Sequence, residues 1–282
     1  MFLSIITINR NNAIGLKKTM QSVASQGFDD FEYIVVDGAS SDESIRVIQS
    51  FIPLFGNRMN WISEPDNGIY NAMNKGIRMA KGDYVEFLNS GDILASQDVI
   101  SNVFGALETK GNPSILYGNM LKEMRDGTVL KDKGITGRDI TFGDFYSGTL
   151  NHSPSFIRRS LFDKYGLYDE SLKIVSDWKW FLEAIVFGEE KPVFFDFDIT
   201  LFDMSGISET NKELCYTERS FVLQKSVSHS ILSDYENWSF SIDQLKRLKR
   251  YPWAYNIVWL LERCLFKWER MLNKRNRPQS KS

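Results

Sequence analysis

The sequence predicts an α/β fold: a mostly parallel sheet flanked by helices, followed by a helical C-terminal extension. Short β-branched apolar runs alternate with segments of helical periodicity through the first hundred residues. Asp, Asn, Gly and Ser cluster where these runs end, as turn residues do. From Asn211 onward helical patterning dominates, and we find no internal repeat and no low-complexity linker. We therefore expect one compact domain over residues 1–210, in two halves that divide at 112/113, and a helical extension over 211–282.

The first half alternates strands and helices. Leu3–Thr7 is a short apolar, β-branched run that predicts a buried strand, and the apolar residues of 13–25 then recur at near-helical spacing. The same two patterns predict strands at Phe31–Val36, Trp61–Ile62 and Tyr84–Leu88 and helices at Ser41–Phe51 and Ile69–Ala80. Strands that alternate with helices at this spacing are joined by crossover connections, so their pairs are expected to be parallel.

The second half is less regular. Met120–Met124 predicts a strand that pairs with Thr128–Lys131 across the turn dipeptide Asp126-Gly127. Ser176–Phe187 is strongly apolar and predicts a helix. Further strands are predicted at Ser114–Tyr117, Val193–Phe197 and Thr200–Met204, and an extended segment at Thr149–Arg158.

Composition and missing motifs exclude several function classes. The 282 residues contain only two cysteines, Cys215 and Cys264, and two histidines, His152 and His229, which excludes a disulfide framework, a four-Cys zinc site and a His-rich metal site. No GxGxxG follows the first strand, and neither a GxxxxGK[ST] P-loop nor a GxSxG elbow is present. A dinucleotide oxidoreductase, a P-loop enzyme and an α/β-hydrolase are therefore not expected.

Charge is distributed unevenly along the chain. Residues 244–282 contain eleven Lys/Arg and two Glu, a net +9, whereas residues 1–243 carry a net −11. The N-terminus lacks the basic start and apolar stretch of a signal peptide, and no apolar run reaches the length of about 18 residues that a membrane span needs. We expect a cytoplasmic protein whose basic tail meets an anionic partner other than nucleic acid.

Polar residues follow four of the predicted strands. They are Thr7-Ile8-Asn9, Asp37, Glu64-Pro65-Asp66 and Asn89–Asp92. Parallel strands place their ligands at their carboxyl ends, so these side chains are expected to face one crevice. Helix capping is the alternative, and it accounts well for Ser41 or Asp42. Carboxylates in such a crevice suit a divalent cation held through a substrate diphosphate.

Four segments resemble a known family. SIITINRN, EYIVVDGASSDES and SEPDNGIYNAMNKGIRMAKGDYVEFLNSGD resemble the N-terminal half of an inverting family 2 glycosyltransferase with the GT-A fold. NHSPSFIRRSLFDKYGLYDESLKIVSDWKWFLEA resembles the acceptor-side half, as found in bacterial enzymes that build surface polysaccharides. The resemblance, over about residues 1–205, implies a GT-A catalytic domain with a nucleotide-sugar-binding half (1–112) and an acceptor-side half (113–210). It further implies sugar transfer with inversion from a nucleotide-sugar, UDP-sugar favoured, to a hydroxyl of a glycan or polyprenyl-linked acceptor.

The resemblance also assigns donor-site residues. Thr7 and Asn9 match the loop that lines the base and ribose, and Asp37 matches the aspartate that hydrogen-bonds the base. Asp66 is placed in the same pocket. Lys75 is either a diphosphate contact or an ordinary exposed helix lysine, with equal weight.

The metal motif departs from the family pattern. The usual Asp-x-Asp is Asn89-Ser90-Gly91-Asp92 here, so two expected carboxylates are missing. Asp92 is expected to reach a Mn²⁺ or Mg²⁺ ion, and Asn89 a ribose or a metal-bound water. We expect weak metal binding, completed by the donor diphosphate; a turn without chemical role is the alternative.

The resemblance places the catalytic base in Ser176-Asp177-Trp178. A helix N-terminus lowers the pKa of Asp177, and desolvation by Trp178 and Trp180 offsets this. Asp169 and Glu170 are the alternatives for the base.

Two further parts of the acceptor-side half are assigned by the resemblance. His152 is expected near the donor diphosphate, with a purely structural role as the alternative. Residues 205–208 resemble a mobile loop that closes over the donor, and a plain loop is the equal alternative.

Two other functions stay open. A nucleotidyltransferase requires a Gly-rich basic loop after the first strand, which TINRNN is not. A non-catalytic nucleotide-sugar-binding or membrane-associated subunit agrees with the altered metal motif.

The basic tail mixes Trp, Tyr and Leu with Lys and Arg, which is typical of an interfacial helix. We expect residues 244–282 to bind the inner face of the cytoplasmic membrane peripherally. Packing on the catalytic domain, or on a second copy as a homodimer, is the alternative.

Overall fold

The computed structural model describes residues 1–124, 126–204 and 210–275. The chain divides into two compact units, Met1–Arg219 and a second unit that begins at Ser220. The loop expected at 205–208 lies outside the described residues.

The first unit is built on one mixed sheet of nine strands. These are β1 Leu3–Asn9, β2 Phe31–Asp37, β3 Met59–Ser63, β4 Tyr84–Phe87, β5 Ile93–Leu94, β6 Ile115–Glu123, β7 Val129–Asp132, β8 Ser155–Arg158 and β9 Val193–Phe202. Their order is β3-β2-β1-β4-β8-β6-β9-β5, with β7 paired to β6. The pairs among β1 to β4 are parallel, as is β6 with β9, whereas β8 is antiparallel to both β4 and β6.

Helices cover the sheet and form the second unit. They are α1 Ala13–Ala24, α2 Ser44–Phe55, α3 Ile69–Met79, α4 Val99–Thr109, α5 Phe142–Ser147, α6 Ser160–Tyr165, α7 Ser176–Phe181, α8 Lys212–Ser226, α9 His229–Lys249 and α10 Pro252–Arg275. Buried apolar residues of α1, α2 and α4 pack with those of β1 and β2 in one core. Burial of such side chains stabilises a fold by about 1.5–3 kcal/mol each.

The polar strand ends meet at one edge of the sheet, as expected. Asn9 on β1 pairs in register with Asp37 on β2, which pairs in register with Ser63 on β3. The loop after β4 lies beside them, because the amide of Ser90 donates to the carbonyl of Ile8 at 3.1 Å. The predicted α/β fold with a mostly parallel sheet and C-terminal helices is confirmed.

Two predicted strand breaks are absent. β6 runs through Gly118, where the register shifts against β9. A side chain at Gly118 would collide with Ile199 and lie 2.7 Å from the carbonyl of Phe197, so this glycine marks a close approach of two strands. β9 likewise continues through Asp198 and Ile199, and Asp198 is paired with Lys131.

The helix predicted over Ser176–Phe187 changes character at its midpoint. Its first half is α7 and its second half, Leu182–Phe187, is π-helical. Three helices, α4, α5 and α6, were not predicted from the sequence.

Candidate active site

A pocket of about 660 Å³ opens at the carboxyl ends of β1 and β4. This volume falls in the range of small-molecule sites. Its lining comes from the loop after β1, the start of α3, the loop after β4, and the segments before β8, before α7 and after β9. Those residues include Asn9, Arg10, Asp66, Tyr70, Asn89, Asp92, His152, Asp177 and Asp203.

Asp37 lies behind the pocket wall and binds three strand ends together. Its Oδ1 accepts from Asn9 Nδ2 at 2.8 Å and from Ser40 Oγ at 2.5 Å. Its Oδ2 accepts from the amide of Ser40 at 2.9 Å and from Ser63 Oγ at 2.7 Å. Burial alone would raise the pKa of Asp37, but the bonds from Ser40, Ser63 and Asn9 outweigh it and hold the pKa below its ordinary value.

We expect Asp37→Asn to destabilise the protein and to abolish nucleotide binding. An amide nitrogen would face a donor in place of one acceptor oxygen, at a cost of about 1–3 kcal/mol. Because Asp37 accepts four hydrogen bonds, the substitution should lower the free energy of unfolding as well as the nucleotide affinity. Calorimetric titration with UDP and GDP, beside urea unfolding of the same variant, measures both effects. Unchanged affinity for both nucleotides in the folded variant would remove Asp37 from donor recognition.

Thr7 and Lys75 are not among the pocket-lining residues. Thr7 is fully buried, and its Oγ1 donates to the carbonyl of Leu88 at 2.7 Å. Lys75 Nζ pairs with Glu64 at 2.8 Å and donates to the carbonyl of Pro65 at 2.9 Å. Both side chains hold strand-end loops in place in this structure.

Asp66 and Arg10 form one rim of the pocket. Arg10 Nη1 lies 3.8 Å from Asp66 Oδ1, and the amide of Gly68 donates to the same oxygen at 3.1 Å. The carboxylate packs where a side chain at Gly38 would stand, so glycine there leaves room for Asp66. The Arg10 side chain is 65% exposed, which leaves its cation accessible from the pocket.

His152 and Asp177 form a hydrogen-bonded pair in the lining of the pocket. His152 Nδ1 lies 2.9 Å from Asp177 Oδ2. Tyr70 donates to Asp177 Oδ1 at 2.7 Å, and its hydroxyl is also 2.5 Å from the carbonyl oxygen of Ile174. His152 Nε2 lies 3.3 Å from Asn89 Nδ2. Asp177 therefore fixes the imidazole ring, and the ring directs its second nitrogen towards the loop after β4.

The contact between His152 and Asp177 shifts the pKa of both residues. Burial would raise the pKa of Asp177, but the hydrogen bond and charge of His152, with Tyr70, outweigh it and lower that pKa. Burial would lower the pKa of His152, but the bond and charge of Asp177 outweigh it and raise that pKa. The offset expected from Trp178 and Trp180 is thus not enough to raise the pKa of Asp177, because His152 and Tyr70 act on it directly.

The alternative bases face other partners. Asp169 pairs with Lys179 at 2.8 Å, and Glu170 accepts from Asn71 and Asn74 at 2.8 Å each. Neither is among the pocket-lining residues. The structure therefore brings Asp177 and His152 together at the pocket and leaves Asp169 and Glu170 outside it.

Asp92 and Asn89 each present a buried oxygen atom without a hydrogen-bond partner among the described residues. Asp92 is 2% exposed; its Oδ1 accepts from the amide of Asp203 at 2.8 Å, and its Oδ2 is unpartnered. Asn89 Oδ1 is unpartnered as well. Burial raises the pKa of Asp92 to about 7, even though the Asp203 amide and the charge of His152 oppose the rise.

Both oxygens belong to pocket-lining residues and are of the kind that Mn²⁺ and Mg²⁺ bind. In the described part of the chain, no three His, Cys, Asp or Glu side chains lie close enough to bind a metal ion by themselves. A cation here would need further oxygen ligands, and a nucleoside diphosphate supplies them.

A protein-family model matches most of the first unit and identifies the family. The model described as glycosyl transferase family 2 matches residues 4–166, more than half of the protein, from the second residue of β1 to beyond the end of β8. The chain belongs to glycosyl transferase family 2. The resemblance read from the three N-terminal segments is therefore confirmed, and the protein is a glycosyltransferase.

Relatives in the family agree with this assignment. An uncharacterized glycosyltransferase of Mycobacterium tuberculosis is 35% identical over 208 residues, which is 73% of this chain and 76% of the relative. A PGL/p-HBAD biosynthesis glycosyltransferase of Mycobacterium bovis is 30% identical over 179 residues, 62% of this chain and 66% of the relative.

Solved structures share the fold. S. aureus TarS in complex with UDP-GlcNAc superposes with a TM-score of 0.64 at 17% identity, over 86% of this chain and 73% of that chain. Mannosyltransferase PcManGT from Pyrobaculum calidifontis, in complex with GDP-Man and Mn²⁺, gives a TM-score of 0.53 at 14% identity, over 71% of this chain and 56% of that chain. The GT-A fold expected for this family 2 enzyme is confirmed.

Two pocket residues were not found by sequence reasoning. Tyr70 was assigned only to a helix, and its contact with Asp177 joins positions 107 apart in sequence. Asp203 was placed inside a predicted strand; it follows the last residue of β9 and is thus a polar strand-end residue like those recognised in the first half. Correct placement of the end of β9 would have shown it.

Proposed function

We propose that this glycosyltransferase moves a sugar from a nucleotide-sugar, UDP-sugar favoured, to a hydroxyl of a glycan or polyprenyl-linked acceptor with inversion. The observation that carries the proposal is the His152–Asp177 pair on the wall of a pocket at the carboxyl ends of the strands. Polysaccharide or glycolipid biosynthesis in bacteria is the setting, as for the mycobacterial relative named for PGL/p-HBAD biosynthesis.

The pair acts as the catalytic base. The acceptor oxygen attacks the anomeric carbon while the bond from that carbon to the diphosphate oxygen breaks, which is one displacement with inversion. Nε2 of His152 exchanges its 3.3 Å contact with Asn89 Nδ2 for the acceptor hydroxyl and takes that proton, while Asp177 orients the ring and stabilises the imidazolium, as in other His–carboxylate pairs. Asp177, expected from the sequence to be the base, works through His152 in this proposal, because its oxygens face His152 Nδ1 and the Tyr70 hydroxyl whereas His152 Nε2 faces the loop after β4.

The donor binds at the other end of the pocket. Asn9 and Asp66 lie at the strand-end loops where the base and ribose are expected, and the exposed Arg10 cation suits a diphosphate. Asn89 lies beside His152, and Asp92 lines the same pocket. A divalent cation bound there supplies positive charge to the departing diphosphate. Thr7 and Asp37 hold the strand ends that carry these contacts.

A donor panel tests the proposal. Thermal unfolding with UDP-, GDP- and dTDP-sugars ranks the donors, because a ligand stabilises by RT ln(1 + [L]/Kd). Release of nucleoside diphosphate from the best donor, with and without Mn²⁺ or Mg²⁺, then separates a transferase from a non-catalytic binding subunit. We expect a UDP-sugar to give the largest shift and to be turned over. Binding without turnover under any metal condition would favour the non-catalytic subunit.

The pH dependence of turnover identifies the atom that takes the proton. His152 has to be neutral to act, and its pKa is raised, so kcat/KM should fall as the pH drops through a value above about 6.5. Asp177→Asn removes the group that raises this pKa, so the acid limb of the residual activity should move to lower pH. Rate profiles of both proteins between about pH 5 and 9 measure the shift. A native profile that stays flat down to about pH 5 would instead make Asp177 the proton acceptor, because His152 and Tyr70 hold the pKa of that carboxyl below its ordinary value.

We also propose that α10 docks on an anionic membrane surface. By helical spacing, Trp253, Ile257, Leu261, Trp268 and Met271 share one face, and each of these side chains is exposed by 51–68%. Arg263, Lys267 and Arg270, spaced four and three apart, form a basic stripe on another face, and all three are exposed. An exposed apolar face bordered by basic residues fits the boundary between acyl chains and anionic headgroups. Among the described residues, no helix has the length and hydropathy needed to cross a bilayer.

A further inference from the structure

The carboxylate of Asp203 occupies the space that a side chain at Gly91 would need. An ideal Cβ at Gly91 would collide with Asp203 Oδ2 and lie 3.2 Å from its Cγ. Gly91 is the position where the Asp-x-Asp pattern has a carboxylate and this chain has none. One carboxylate is therefore absent from the loop after β4, and another stands in its place from a distant part of the chain.

Strand pairing explains how Asp203 reaches this point. β5 and β9 are antiparallel, with Ile93 opposite Leu201 and Leu94 opposite Thr200. The same register continued by two residues sets Asp203 opposite Gly91. The Asp203 amide donates to Asp92 Oδ1 at 2.8 Å, which ties the end of β9 to the loop. Gly91 has a φ of +114°, a conformation that disfavours an aspartate at this position.

The neighbouring Asp92 provides an independent sign of a ligand. Its side chain is almost fully buried, it lines the pocket, and its Oδ2 has no hydrogen-bond donor among the described residues. Buried carboxylate oxygens without partners are costly, and a bound cation removes the cost. Asp203 lines the same pocket and brings a second negative charge beside Asp92.

We propose that Asp203 is a ligand of the divalent cation and replaces the carboxylate missing at position 91. The protein then contributes oxygen ligands from Asp92 and Asp203, and the donor diphosphate contributes the others. Two carboxylates with diphosphate oxygens suit Mn²⁺ or Mg²⁺, which both take oxygen ligands in octahedral geometry. This inference rests on the proposed use of a nucleotide-sugar donor.

Manganese binding by the full-length protein tests the inference without a transfer assay. Free Mn²⁺ is followed by electron paramagnetic resonance during titration of the native protein, Asp203→Asn, Asp92→Asn and Asp196→Asn, each with and without UDP or GDP. Asp196 lies on the same strand as an exposed partner of Lys133, so its variant is a matched control for loss of one charge. We expect Asp203→Asn and Asp92→Asn to weaken nucleotide-dependent Mn²⁺ binding at least tenfold and Asp196→Asn to leave it unchanged.

Thermal unfolding gives a second readout on the same proteins and on Asp203→Ala. Addition of Mn²⁺ to the nucleotide complex should raise the unfolding temperature further in the native protein and in Asp196→Asn, and by less in the two Asp203 variants. Native-like Mn²⁺ affinity in Asp203→Asn would overturn the inference, as would a native protein that holds no Mn²⁺ under any condition. Calorimetric titration of the native protein with UDP and GDP separates these failures, since absent nucleotide binding contradicts the proposed function itself.

Discussion

Asp177→Asn is expected to lower kcat by about 10²–10⁴, the usual contribution of a general base, and to leave donor affinity close to native. The variant can keep every hydrogen bond of the site. Its amide oxygen can accept from His152 Nδ1, its NH₂ can donate to the Tyr70 hydroxyl, and Tyr70 can donate to the carbonyl of Ile174, 2.5 Å away. Only the negative charge that stabilises an imidazolium is lost, so the effect should fall on turnover.

His152→Gln and the double variant show whether the pair acts as a unit. We expect His152→Gln to lose about as much activity as Asp177→Asn, and the double variant to lose little more, since groups that act together are not additive. Asp169→Asn is the matched control, because Asp169 pairs with Lys179 outside the pocket. The proposal fails if Asp177→Asn keeps near-native kcat on an active acceptor, or if Asp169→Asn is the variant that loses turnover.

Part of the site could be predicted from the sequence, because parallel strands place their ligands at their carboxyl ends. Buried β-branched runs predicted β1, β2 and β4, and parallel pairing then requires their carboxyl ends to lie together. The register of Asn9, Asp37 and Ser63 agrees with that argument. The roles of Thr7, Asp37 and Lys75 came from the family resemblance alone and stay predictions. In the structure, Thr7 donates a hydrogen bond to the carbonyl of Leu88, and Asp37 accepts one from Ser40. No local sequence pattern predicts these partners.

The other part depends on contacts between distant segments. Asp177 meets Tyr70 across 107 positions, and Asp203 meets Asp92 across 111. β8 lies antiparallel between β4 and β6, and β5 pairs with β9. These pairings bring the second half of the chain to the pocket. Hydrophobic periodicity predicts the strands but not the order in which they pair. The strands predicted at 114–117 and 120–124 are one strand, because Gly118 permits a close approach of β6 and β9 that the sequence pattern does not distinguish from a break.

Neutralising the basic stripe of α10 should nearly abolish binding to anionic vesicles. Each basic residue near an anionic leaflet contributes about 1 kcal/mol, so replacing Arg263, Lys267 and Arg270 together by Gln should weaken partitioning roughly 100-fold at low salt. The substitutions keep good helix formers on an exposed face, and the apolar face with Trp253 and Trp268 is unchanged. Co-sedimentation with vesicles of anionic and of neutral lipid, at low and high salt, measures the change.

Three lysines of the first unit make the matched control. Lys17, Lys18 and Lys81 are exposed, and their replacement by Gln removes the same charge from the protein at a different place. This variant should pellet with anionic vesicles like the native chain, because local density of charge beside an apolar face, and not net charge, retains an interfacial helix. Salt should weaken native binding, since exposed charges are screened within a Debye length of about 10 Å at 0.1 M. The membrane proposal fails if vesicle binding is the same for anionic and neutral lipid and at low and high salt. If sedimentation equilibrium then shows a concentration-dependent dimer, the apolar face of α10 binds a second copy of the chain instead.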